Sequence, residues 1–155
     1  GTGDWSSDVC SSDLADVTLG LNLSEATQAL EVLGLDVPAD PEASIEATAA
    51  AIREKMNIFC CVVHPRKGAA AAMLDAEGNV TSAEFPGPFV AKPKLSTGAG
   101  DNFNAGFCLG LLAGLPIEEC LCTGVGTSGY YVRNAHSPSS AQLAEFCDHL
   151  PPPAE

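Results

Sequence analysis

Five consecutive residues, Thr97-Gly98-Ala99-Gly100-Asp101, have types and spacing that could do chemistry. A turn of small residues runs directly into an apolar helical pattern, with Asp101 in its first turn. Amides at a helix start point outward and carry partial positive charge, so such a turn can hold an anion. Glycines let the backbone approach a phosphate closely. A carboxylate beside that anion is placed to take a proton from an attacking hydroxyl. The same aspartate also suits a plain helix cap, so a base and a cap both stay open.

The surrounding elements read as α/β. Asp16–Leu21 is a short apolar run, and Leu23–Leu33 carries Ala26, Leu30 and Leu33 at helical spacing before Gly34. Asp40 and Pro41 predict the start of a second helix, with Ile45, Ala49, Ile52 and Met56 on one stripe. Ile58–Val63 (IFCCVV) is apolar throughout, as expected of a strand covered on both faces. Strand, helices, strand is the pattern of a parallel sheet, so Val17–Leu21 and Ile58–Val63 should be parallel neighbours. Ala70–Leu74 and Val80–Phe85 flank Asp75, Gly78 and Asn79, which predicts a hairpin. Beyond Gly98 the sequence predicts helices over about 100–114, 116–133 and 139–149, ended by Pro151–Pro153.

Composition removes partners. Of the 155 residues, 46% are apolar and 17% charged, which is a globular balance. Seven basic against 20 acidic residues give a net charge of −13. That argues against nucleic acid and against an anionic membrane surface, both of which need cationic patches. The apolar stretch Ala105–Leu115 is too short to span a bilayer, and its Gly106, Gly110 and Gly114 suit close helix contact instead. The seven cysteines include adjacent Cys60 and Cys61 and form no Cys-x-x-Cys pair. They read as reduced thiols, which points to the cytoplasm.

Gly124-Val-Gly126-Thr-Ser-Gly129 is formally GxGxxG, but a helix-like pattern precedes it where a dinucleotide fingerprint needs a strand. His64 as a general base, and Tyr130 or Tyr131 as stacking residues, are weaker readings than ordinary packing. Asn22 followed by Glu25 is a capping-box-like helix start. Residues 1–14 (GTGDWSSDVCSSDL) have no helical or strand period, and Asp4–Leu14 resembles the translation of a sequencing-adapter oligonucleotide. That segment is expected to be a non-native leader, and setting it aside leaves a charge of −10.

TGAGD followed by NFNAGFCLGLLAG closely resembles the C-terminal signature of the pfkB, or ribokinase-like, carbohydrate kinases. The resemblance covers roughly residues 15–150, with 151–155 as a tail. It implies a ribokinase-like fold: a partial three-layer α/β/α arrangement with a parallel central sheet and a C-terminal helical part. It implies that Asp101 is the catalytic base, and that Thr97, Gly98, Ala99 and Gly100 form the anion hole for the transferring phosphoryl group. Asn22 and Glu25 match the family's Asn-x-x-Glu element, implying an indirect, water-mediated link to magnesium. Arg66, Lys67, Gly68 and Gly124 fall where the family contacts nucleotide.

Two departures accompany the match. The family's Thr-x-Gly element after the second strand is replaced by His64-Pro65-Arg66-Lys67-Gly68, where Pro65 removes an amide donor that Arg66 and Lys67 offset with charge. A polar residue that often faces adenine is replaced by Gly124 or Val125. The expected function is ATP- and Mg2+-dependent phosphoryl transfer to a hydroxyl of a sugar or related small alcohol. Family members are longer and keep most sugar contacts in an N-terminal half, so this sequence is expected to be a C-terminal half, inactive alone and homodimeric only in the longer protein. The alternative is a non-catalytic nucleotide- or metabolite-binding module on the same fold.

Overall fold

The computed structural model describes residues 16–153; the expected leader lies outside the described residues. Strand β1 (Thr18–Leu21) leads into helix α1 (Leu23–Val32). A 3-10 turn (Glu42–Ser44) and α2 (Ile45–Met56) follow. Then come β2 (Cys60–Val63), β3 (Gly68–Leu74) and β4 (Val80–Pro86). Helices α3 (Ala99–Leu112), α4 (Ile117–Asn134) and α5 (Ser140–Asp148) complete the chain.

The sheet has the order β1-β2-β3-β4. β1 and β2 pair in parallel from Thr18 opposite Cys60 to Leu21 opposite Val63, as the intervening helices require. β3 and β4 form the expected hairpin, and Asp75 closes its turn by accepting from the amides of Glu77 and Asn79 at 3.0 and 2.7 Å. β2 and β3 are also antiparallel. The sheet is therefore mixed, and the expected parallel character holds only for β1 with β2. The reason is local: the four residues His64–Lys67 between β2 and β3 are too few for a crossover.

Alternation sets the layers. Cys61, Val63, Ala70 and Ala72 face α1 and α2, meeting Leu30, Ala49 and Ile52. Cys60, Val62, Ala69 and Ala71 face α3 and α4, meeting Phe103, Phe107 and Leu121. Helices on both faces give the expected α/β/α arrangement. The second helix starts later than Asp40 predicts, because Asp40 accepts from the Ala43 amide at 3.2 Å and caps the 3-10 turn instead.

Helices α3 and α4 are in backbone contact. A Cβ on Gly110 would lie 2.8 Å from Cys120 Cα, and one on Gly106 would meet Thr127 Oγ1 and Thr123 O. Gly114 plays no part in this contact; at φ +71° with open space around it, it turns the chain after α3. No described helix is long and apolar enough to cross a membrane.

Candidate active site

The turn before α3 is shaped by Gly98, whose φ of +86° lies in the left-handed region that glycine adopts without cost. Three contacts hold it. Tyr131 Oη of α4 donates to Thr97 O at 2.8 Å, and Asn102 Nδ2 donates to Gly98 O at 3.0 Å. Ser137 Oγ in turn donates to Asn102 Oδ1 at 2.8 Å. The Ala99 amide donates to Ser96 O at 3.1 Å and is therefore spent locally. The amides of Gly100 and Asp101 precede the first helical acceptor and have no protein acceptor among the described residues. Of the expected set Thr97, Gly98, Ala99 and Gly100, only the Ala99 amide is spent on a protein acceptor among the described residues. Asp101 is exposed on the first turn of α3, and its side chain does not cap the helix.

A cleft of about 610 Å³ opens beside this turn. Gly100, His64, Arg66 and Gly68 line it, together with Phe89 from the 87–97 loop and Ser128 from α4. Of the residues expected to touch nucleotide, Arg66 and Gly68 line the cleft, with the Arg66 guanidinium 5.3 Å from the Phe89 ring centre. Lys67 is exposed outside the lining, with Nζ 6.0 Å from the same ring. Gly124 is not in the cleft. It is buried against Phe103, and a Cβ there would lie 2.8 Å from Phe103 Cε2. The helical GxGxxG is accordingly a packing surface, with Gly126 against Cys147 and Gly129 against Pro88.

Asn22 and Glu25 form a complete capping box: Asn22 N–H donates to Glu25 Oε2 at 2.8 Å, and Glu25 N–H donates to Asn22 Oδ1 at 2.9 Å. Asn22 also lines the cleft, so capping and site placement coincide. His64 lies half-buried between these groups. Its ring stacks on Phe103 with centroids 4.6 Å apart, and its Cε1 would be 3.3 Å from a Cβ on Gly100. Burial pushes its imidazole below the ordinary value, partly opposed by the Glu25 carboxylate.

The 87–97 loop was not foreseen as a wall of the site. Gly87-Pro88 and Pro93 in the sequence were its available signal, marking irregular backbone directly before the Gly-rich turn. Tyr131 reaches Thr97 from 34 residues away, and no local pattern announces that bond.

A sheet covered on both faces, with a glycine turn feeding α3 at the mouth of a cleft, is the fold of the ribokinase-like kinases. Ribokinase from Thermotoga maritima superposes with a TM-score of 0.65 at 21% identity, over 85% of this chain and 42% of that one. Phosphofructokinase-2 from Escherichia coli, in complex with substrates and products, gives 0.62 at 18%, over 86% and 40%. Arabidopsis thaliana ribokinase complexed with ribose and ATP gives 0.64 at 21%, over 84% and 40%. The chain spans about two-fifths of the length of these structures. No curated protein matches it in sequence. The sequence model of prokaryotic ketohexokinase matches residues 9–150, and the chain belongs to that family of carbohydrate kinases.

Proposed function

We propose that residues 15–150 are the C-terminal part of a cytoplasmic kinase that transfers the γ-phosphoryl group of ATP to a hydroxyl of a sugar or related small alcohol. The observation that carries this reading is the pair of free amides at Gly100 and Asp101 at the start of α3, where Gly100 lines the cleft and Asp101, on the same turn, lies just outside its lining. The ribokinase solved with ribose and ATP supports the donor and the substrate class by likeness of fold.

The cleft suits a nucleotide on its own terms. It has room for a drug-sized ligand, apolar walls from Phe89, Val125 and Val132, and polar groups at Arg66 and Ser128. Magnesium finds no group of three or more ligating side chains among the described residues. Glu25 keeps Oε1 outside the capping bonds, an acceptor that suits a water on a metal carried by the nucleotide, while the free Nδ2 of Asn22 is a donor that suits a phosphate oxygen. Magnesium would supply charge neutralisation on the phosphates. The chain's residues do the rest. The Gly100 and Asp101 amides bind the transferring group, and Asp101 accepts the proton of the acceptor hydroxyl.

The test is Asp101→Asn in the longer kinase, which keeps shape but removes basicity. The expected kcat falls about 10²–10⁴-fold with nucleotide affinity little changed. An unchanged kcat would rule out the base. The altered Pro65 loop favours a second reading, a binding module; such a protein would bind nucleotide and show no turnover even as wild type.

A further inference from the structure

The loop His64–Lys67 joins β2 to β3 at the cleft, and its first two residues offer no free backbone donor. Pro65 has no N–H, and the His64 amide is spent on Leu21 O at 2.9 Å. Two side chains of the same loop line the cleft instead. His64 stands against the first turn of α3, near the free Gly100 amide, and is fixed by stacking on Phe103. Arg66 lies over Phe89, an arrangement that leaves the edge of its planar guanidinium free to donate. We propose that His64 and Arg66 clamp the terminal phosphates of the bound nucleotide, in place of the backbone amides that Pro65 and His64 cannot offer. The clamp rests on the phosphotransferase reading of the cleft given above.

The charges around His64 decide its behaviour. From α1 the Glu25 carboxylate faces it; from α3 it meets Phe103 and Gly100, and from β1 the Leu21 carbonyl region, none of them charged. Arg66 is the cation of its own loop. Burial outweighs Glu25, so the free imidazole is neutral at pH 7. A phosphate anion beside it favours the protonated ring, so binding takes up a proton. The sign follows: ATP affinity rises as pH falls toward the pKa of the complex.

The experiment is isothermal titration of the longer kinase, with magnesium, by ATP and by adenosine near pH 6 and pH 8, in buffers of different ionisation heat. For Arg66→Ala, ATP binding is expected to weaken about tenfold at both pH values, from loss of a charged hydrogen bond. His64→Gln is expected to lose the extra proton uptake and the tightening near pH 6. Adenosine binding should match wild type in both variants. Arg66 is exposed, so its variant tests the clamp even where His64→Gln fails to fold. Wild type that binds no ATP would overturn the nucleotide reading of the cleft and the clamp with it. Wild type that binds ATP while either folded variant matches it in affinity and proton uptake would overturn the clamp alone.

Discussion

Gly110→Ala sets two effects of opposite sign against each other. Gly110 lies inside α3, where alanine is the better helix former by about 1 kcal/mol. The added methyl, however, would sit 2.8 Å from Cys120 Cα and 2.8 Å from Thr123 Oγ1. Favourable carbon contacts lie near 3.5–4.0 Å, so the methyl is about 1 Å too close. Cys120 Cα is backbone and cannot rotate away, and Thr123 Oγ1 is held on Cys120 O at 2.9 Å. Relief requires α4 to move off α3, loosening the packing of Phe107, Cys120 and Leu121. Overpacking costs about 1–3 kcal/mol, and a clash with backbone that cannot rotate away falls in the upper part of that range, about 2–3 kcal/mol, so the net effect is a loss of about 1–2 kcal/mol after the propensity gain of about 1 kcal/mol. That corresponds to a drop in Tm of about 2–8 °C. Thermal and urea unfolding followed by far-UV circular dichroism would measure it. A variant as stable as wild type, or more so, would refute the backbone contact between α3 and α4.

Tyr131→Phe removes the hydroxyl that holds Thr97 O while keeping the ring. Thr97 is exposed, so water replaces the bond and Tm should fall by less than about 3 °C, whereas kcat of the longer kinase should drop at least tenfold as the turn loosens; equal kcat would show that the bond does not position the site. The Cys147 thiol, whose Sγ donates to Cys122 O at 3.8 Å, lies beside the Cys122 thiol and lowers it from its ordinary value, whereas burial pushes Cys60 and Cys61 up to about 12. The thiolate is the reactive form, so iodoacetamide should label Cys122 ahead of Cys147, Cys60 and Cys61. Peptide mass spectrometry reads this out, and Cys147 reacting first would overturn the assignment.

The elements that sequence patterns resolve are those whose burial is periodic. IFCCVV announces a strand covered on both faces, and the helical spacing of Ala26 and Leu30 announces α1, because one face of each meets the core. The start of α2 was misplaced because Asp and Pro begin a 3-10 turn as readily as an α-helix, and the choice falls to packing that starts at Ile45. The Gly-rich turn and the place of Asp101 in the first turn of α3 were legible because their geometry is local. The packing of Gly124 on Phe103 was not legible, since a glycine suits close approach to a ligand and to a phenyl ring equally, and Phe103 lies 21 residues earlier. Phe103 and Phe107 are buried at 3% and 1% exposure, packed against Leu121 and Val125 of α4.

Helix α4 meets Phe103 through Gly124 and Pro88 through Gly129, while Ser128 and Val132 of the same helix face the cleft. This wall is therefore gauged by main chain, not by side-chain bulk. A lineage that needed a wider or narrower cleft could not obtain it by trading side-chain sizes at those glycines. Divergence in ligand preference should accumulate instead at the side chains of Phe89, Val90 and Pro93, which line the cleft from the 87–97 loop.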